Sequence, residues 1–210
     1  MKRLITFTAL LTFATFVFAQ ENQVEINKSF PNITEVIVDV VFCEVDIQAS
    51  EDADVSVEGL IKWQKEKHQY EFVTKVSGTT LHVEVKHPRH SKGRTIGKIA
   101  LKMPAMTDID VSSVSGNIRA SGVGQRYVKL NTVSGEIEAS KIGSKVKASS
   151  VSGNIQLTDI NGHVSTSTIS GNQHLADVSG NLKGSSISGN FKIINLKGNR
   201  EISTLSGSVR

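Results

Sequence analysis

The chain has 210 residues, with 24 Lys/Arg against 20 Asp/Glu, a formal net charge of +4 and a single cysteine. No nucleic-acid recognition motif accompanies that small charge, and one cysteine excludes an internal disulfide framework, so stability must come from burial and strand pairing. The composition suits one domain with its own core.

Residues 1–19 carry Lys2 and Arg3, an apolar run from Leu4 to Phe18, and Ala19 ahead of Gln20. This pattern predicts a secretory signal peptide and an exported mature chain. The run is shorter than the ~20 residues a membrane span needs, so no span is expected in the mature protein. Residues 20–210 are then read as one domain, with irregular N-terminal coils or a cap over 20–98 and regular repeats over 99–210.

In the first of these sections, Val36, Val38 and Val40, then Cys43, Val45 and Ile47, then Val55 and Val57, alternate with polar residues, and Gly59 is expected to end the run. Cys43 belongs to this alternation, which predicts a buried, inert thiol. Leu81, Val83 and Val85 read as a strand, His87 to Lys98 as a basic loop, and Ala100 to Met103 as a strand ended by Pro104. Such irregular coils suit the end of a repeat array, where the core must be closed by an atypical unit.

From there one phrase recurs six times: Val114-Ser115-Gly116, Val133-Ser134-Gly135, Val151-Ser152-Gly153, Ile169-Ser170-Gly171, Ile187-Ser188-Gly189 and Leu205-Ser206-Gly207. One interval is 19 residues and the next four are 18. Numbered from the first residue of each phrase, columns 1, 5, 7, 10 and 14 stay apolar. Two apolar groups per unit, each stepping at the period of a strand, predict two strands per repeat. The expected fold is all-β, a flattened parallel β-solenoid with two facing sheets and 18-residue coils. Glycine in each phrase is expected to supply turn backbone. Gln173 interrupts column 5 and Arg200 column 14, and the extra residue of the first repeat predicts a bulge near Tyr127.

The segment Lys98-Ile99-Ala100-Leu101-Lys102-Met103-Pro104, followed by Ile109-Asp110-Val111 and the serial Ser-Gly phrases, resembles a bacterial adhesin-like family of β-strand repeats, a domain of unknown function. More loosely, it resembles the head domains of auto-transporter adhesin-like proteins. The resemblance covers residues 30–210 and implies an exported β-solenoid. It carries no catalytic motif.

Residues 18 apart should become neighbours across coils, so chemistry is sought in the columns. Column 9 brings Asp159 and Asp177 about 5 Å apart, a spacing that retaining glycosidases use. The expected arrangement is nevertheless a surface ladder in which Lys141 offsets Asp159, with a catalytic pair as the alternative. Turn asparagines and serines lack the carboxylates a calcium site needs, and are expected to form hydrogen-bonded ladders. Trp63, Tyr70 and Phe72 are expected to pack, with a sugar platform as the alternative.

Charge is segregated. Residues 20–59 hold ten acids against Lys28, whereas residues 60–98 hold nine Lys/Arg against three Glu. Lys62, Lys65, Lys67, Lys86, Arg89, Lys92, Arg94 and Lys98 are therefore the candidate anion-binding residues. The expected protein is a non-enzymatic, exported binding or structural protein of the bacterial envelope or surface, without a cofactor. Its expected partner is an anionic envelope polymer, a polysaccharide or a surface protein. The alternative is a β-helical carbohydrate-active enzyme using Asp159 and Asp177.

Overall fold

A computed structural model describes residues 22–64, 69–88 and 94–210, so the expected signal peptide over residues 1–19 lies outside the described residues. All regular elements described are strands. The N-terminal section supplies β1 (Asn22–Phe30), β2 (Glu35–Asp39), β3 (Cys43–Ser50), β4 (Val55–Trp63), β5 (Glu71–Ser77), β6 (Thr80–Lys86) and β7 (Thr95–Pro104). The remainder supplies β8 (Asp108–Ser113), β9 (Ile118–Ser121), β10 (Tyr127–Thr132), β11 (Ile137–Ile142), β12 (Lys145–Ser150) and β13 (Ile155–Ile160). It ends with β14 (Val164–Thr168), β15 (Gln173–Val178), β16 (Leu182–Ser186), β17 (Phe191–Leu196) and β18 (Arg200–Thr204). β4 thus runs through Gly59, and β7 begins five residues ahead of Ala100.

The strands form two nine-stranded sheets. Sheet A has the order β1-β4-β7-β3-β9-β11-β13-β15-β17, and sheet B the order β18-β16-β14-β12-β10-β8-β2-β6-β5. From β8 onward the chain alternates between them, and each repeat adds one parallel strand to each sheet. Counterparts 18 residues apart pair directly, as Ile137 with Ile155, Ile155 with Gln173 and Gln173 with Phe191. Buried residues from both sheets join one core that extends from Ile26 to Phe191.

The sheets are mixed, and not parallel throughout as the repeats alone suggest. β1 pairs with β4, β4 with β7, and β5 with β6, all antiparallel. Residues 20–98 lack the 18-residue phrase; β1 with β4 and β4 with β7 pair across two intervening strands, and a local turn joins only β5 to β6. Between β5 and β6 the chain reverses over Gly78 and Thr79, with Gly78 at φ 62°, so the two strands form a tight hairpin. β2 and β3 behave as a preceding coil, with Val36 paired to Ile109 and Val45 to Ile118 in parallel, and β6 and β7 stack on them in parallel in turn, with Val36 paired to Leu81 and Val45 to Ile99.

Columns 5, 7, 10 and 14 face the core through most of the stack, but column 1 does not. Val114, Val133, Val151, Ile169 and Ile187 are 38% to 51% exposed, and Leu205 is 84% exposed. Strand parity explains this: in β12, for instance, Val146, Ala148 and Ser150 point inward, so the next residue, Val151, must point out. The inward place before each phrase goes to a hydroxyl that closes the turn. Ser113, Thr132 and Ser150 accept the N–H of Gly116, Gly135 and Gly153 at 2.9, 3.1 and 2.8 Å.

The repeated glycines do not serve left-handed backbone, which among the described glycines is confined to Gly78, Gly122 and Gly124. They permit close approach of successive repeats: a β-carbon on Gly153 would lie 1.7 Å from the carbonyl oxygen of Gly135.

Nor does the extra residue of the first repeat make a bulge, because β10 stays in register with both β8 and β12. The turn between β9 and β10 absorbs it. There Gly124 has φ 97°, and the Asp108 carboxylate accepts the backbone N–H groups of Gln125, Arg126 and Tyr127 at 3.0, 2.7 and 3.2 Å.

Gln173 does point into the aliphatic core and is 1% exposed. Its Nε2 donates to Thr168 Oγ1 at 3.1 Å and to the Ser185 carbonyl at 2.9 Å, which offsets part of the cost of burying an amide. Arg200 is exposed on the edge strand β18.

Candidate functional site

Of the eight cations singled out in the basic section, Lys65, Lys67, Arg89 and Lys92 lie outside the described residues. The other four do not share one surface. Lys62 on β4 and Lys98 on β7 lie on the outer face of sheet A, where these strands are neighbours. Lys86 lies on the outer face of sheet B, with its ammonium 3.3 Å from Glu71. Arg94 is exposed just ahead of β7. The chain crosses between sheets inside the basic section, so residues close in sequence end on faces that point away from each other.

The aromatic residues pack. Tyr70 is buried, its ring 5.4 Å from Phe42 edge-on and 5.1 Å from Trp63, and its hydroxyl lies 3.0 Å from Thr95 Oγ1. Phe72 is half-buried against Gly59. Cys43 is fully buried, and loss of solvent pushes its thiol pKa up to about 12, which leaves no nucleophilic thiolate at neutral pH.

Asp159 and Asp177 stand in a ladder of corner residues with a shared backbone conformation. Lys141, Asp159, Asp177 and Asn195 have φ of 55°, 57°, 57° and 52°, and Gly122 in the first repeat has 73°. Asp, Asn and Gly tolerate this left-handed region better than other residues, which accounts for most of the column. Asn195 Nδ2 donates to Asp177 Oδ1 at 2.9 Å. The ion pair expected between Lys141 and Asp159 does not form.

The opposite corner carries the expected asparagine ladder. Asn117, Asn154, Asn172 and Asn190 use Oδ1 to accept the backbone N–H of Glu136, Asn172, Asn190 and Ser208, at 2.9 to 3.1 Å. These side chains satisfy turn backbone that would otherwise lack a partner.

Charge on the outer faces is partly cancelled and partly concentrated. On sheet A, the Arg119 guanidinium bridges Glu44 and, at 2.8 Å, Glu138. On sheet B the fold gathers a second basic group that no single stretch of sequence contains. Lys145 and Lys147 come from β12, Lys183 from β16 and Arg200 from β18, around Ser165 of β14. The signal for it lies in column 15, which reads Lys129, Lys147, Ser165, Lys183, Glu201 once the repeats are aligned.

The outer corner between the sheets is different again. The three residues of each phrase and the two before them contain no charged side chain in any of the six copies, although 21% of the chain is Asp, Glu, Lys or Arg. The exposed aliphatic ladder of column 1 therefore runs along an uncharged strip lined by hydroxyls.

No curated protein matches the chain. Among solved structures, a candidate cell-adhesion protein from Clostridium sporogenes is 11% identical, with 88% of this chain and 100% of that chain covered and a TM-score of 0.52. A candidate adhesin from Bacteroides fragilis is also 11% identical, with 91% of this chain and 97% of that chain covered and a TM-score of 0.56. Likeness at that identity concerns the fold. The model of the Toastrack DUF4097 family matches residues 33–210, over the mixed sheets, the repeats and the corner ladders alike, and the chain belongs to this family.

Proposed function

We propose that this protein is an exported, non-enzymatic binding protein of the bacterial envelope or surface. Residues 20–210 act as one domain, in which β8–β18 form a two-sheet β-solenoid and the antiparallel N-terminal strands cap it. The leader-like pattern of residues 1–19 supports export, and the roles named for the two solved neighbours point toward surface adhesion. The partner is an anionic envelope polymer, a polysaccharide or a surface protein.

One observation carries the non-catalytic part of this reading. Asp159 and Asp177, the only acid pair the repeats suggested for catalysis, occupy left-handed corners, where Asp177 is bonded to Asn195. Retaining glycosidases need two carboxyls on either side of a bound sugar, not on one line of turn corners. The test is a panel of envelope polysaccharides incubated with the purified protein and with Asp177→Asn. Binding without turnover in both proteins is the expected result. Cleavage that disappears in the variant would establish an enzyme instead.

A further inference from the structure

The second basic group surrounds a depression on the outer face of sheet B of about 630 Å³, a size typical of ligand sites. It crosses β12, β14, β16 and β18, so it extends ~14 Å along the stack at the ordinary strand spacing. Within it Ser165 pairs with Lys147 on one side and Lys183 on the other. A short side chain between two long ones leaves the gap.

The lining is dominated by donors. The backbone N–H of Asn181 donates to His163 Nδ1 at 3.1 Å. A ring nitrogen that accepts carries no hydrogen, so the imidazole proton is on Nε2. The backbone N–H of Asn199 likewise donates to Asn181 Oδ1 at 3.0 Å, which leaves the Asn181 Nδ2 hydrogens to offer. Lys145, Lys147 and Arg200 form no ion pair with any described carboxylate. The one acid in the lining, Glu201, lies 2.8 Å from Lys183 Nζ and is neutralised by it.

Beside this groove, two residues further along each strand, run Ser149, Ser167, Ser185 and Ser203 in register. Ser185 Oγ donates to Ser167 Oγ at 3.2 Å, and the last three serines are exposed. A cationic, donor-rich groove flanked by a hydroxyl row complements a ligand that carries negative groups on one edge and hydroxyls on the other. We infer that the groove on sheet B binds an acidic polysaccharide, lying along the stack with its acidic groups against Lys145, Lys147, His163, Asn181 and Arg200. This deepens the envelope-binding reading on which it rests, and it places the site away from residues 60–98.

The experiment is titration of the full mature chain with polygalacturonate, dextran sulfate, neutral dextran and inorganic phosphate. The same series is run on Lys145→Glu/Lys147→Glu, on Ser165→Glu, which puts a carboxylate in the gap, and on Lys62→Glu/Lys98→Glu on sheet A. All altered side chains are exposed or half-buried, and thermal melts confirm that each variant folds.

The expected result is binding of at least one acidic polymer and none of neutral dextran, with affinity reduced about tenfold or more in both groove variants. Raising the salt should weaken binding, and the sheet A variant should bind as the parent does. Unchanged affinity in both groove variants overturns the site, and loss only in the sheet A variant moves the anionic ligand there without touching the envelope-binding reading. Phosphate that displaces the polymer at equal concentration makes the groove a simple anion site and overturns the polysaccharide. Failure of every acidic polymer to bind the parent chain removes an anionic polymer as partner altogether.

Discussion

The Phe191 ring fills the space that a side chain at Gly184 would need. A β-carbon there would lie 2.6 Å from Phe191 Cε1 and 2.7 Å from Ile202 Cδ1. Phe191 comes from sheet A and Gly184 from sheet B, so the largest residue of one core column is matched by the smallest of the facing one. Dense cores require such compensation.

The coupling between them is measurable. Gly184→Ala should lower stability by about 1–3 kcal/mol through overpacking. Phe191→Leu alone should also be destabilising, but the alanine should cost markedly less in its presence. Urea unfolding of the four proteins gives the coupling, and strictly additive effects would show that the two positions do not share volume.

Two turn glycines should behave oppositely. Gly153→Ala places a β-carbon against the Gly135 carbonyl oxygen, a backbone atom that cannot swing aside, and should cost more than about 3 kcal/mol or prevent folding. A β-carbon on Gly143 has no neighbour within 4 Å. Gly143→Ala should change stability by no more than about 0.5 kcal/mol. Similar melting temperatures for the two variants would contradict the close approach of successive repeats.

A second contrast tests which columns face inward. Ile155 is 1% exposed and Val151 is 38% exposed, although both are aliphatic and only four residues apart. Ile155→Asp buries an unpaired charge and should abolish cooperative folding. Val151→Asp should cost no more than about 1 kcal/mol, because its carboxylate reaches water. Soluble expression and circular dichroism distinguish them.

Stability should also fall at both extremes of pH. Burial opposes ionisation of Asp108, but hydrogen bonds from the backbone and guanidinium of Arg126 and the backbone of Tyr127 outweigh it and hold its carboxyl below the usual range. A carboxylate depressed in the folded state stabilises fully above its unfolded pKa of about 4 and loses that contribution as pH falls through the folded value. Glu35 is depressed in the same direction by the hydrogen bond from the Tyr127 phenol. That bond pushes the phenol up to about 12, so its contribution is complete below pH ~10 and disappears as pH rises through about 12. Denaturant midpoints across pH should show a weaker acid limb in Asp108→Asn and a weaker alkaline limb in Tyr127→Phe. Limbs identical to those of the parent would remove the cluster as their source.

The repeat register was legible in the residues because identical columns leave one way to stack them. A shift of one residue would expose Ile137, Ile155 and Leu157 together, whereas an 18-residue step keeps every counterpart paired. Gln173 was legible only as an interruption of column 5, and its inward orientation rests on the hydrogen bonds from its amide to Thr168 and the Ser185 carbonyl. The orientation of column 1 was not legible, because Val151 and Ile155 are both aliphatic. The phase between them depends on whether the turn keeps strand parity, and the hydroxyl of Ser150 closing on Gly153 N–H is what keeps it.

The sequence by itself determined an all-β chain with two strands per repeat, since alternation and an 18-residue period are local properties that any stacking must respect. Tertiary structure alone decided the antiparallel pairing of the N-terminal strands, whose residues repeat nothing and of which β4 meets β1 and β7 across intervening strands to share one core. It also divided Lys62 and Lys98 from Lys86, and gathered Lys145, Lys147, Lys183 and Arg200 around Ser165. Electrostatic proximity is set by distance through space, and in a stack of parallel strands the nearest neighbour of a side chain is 18 residues away.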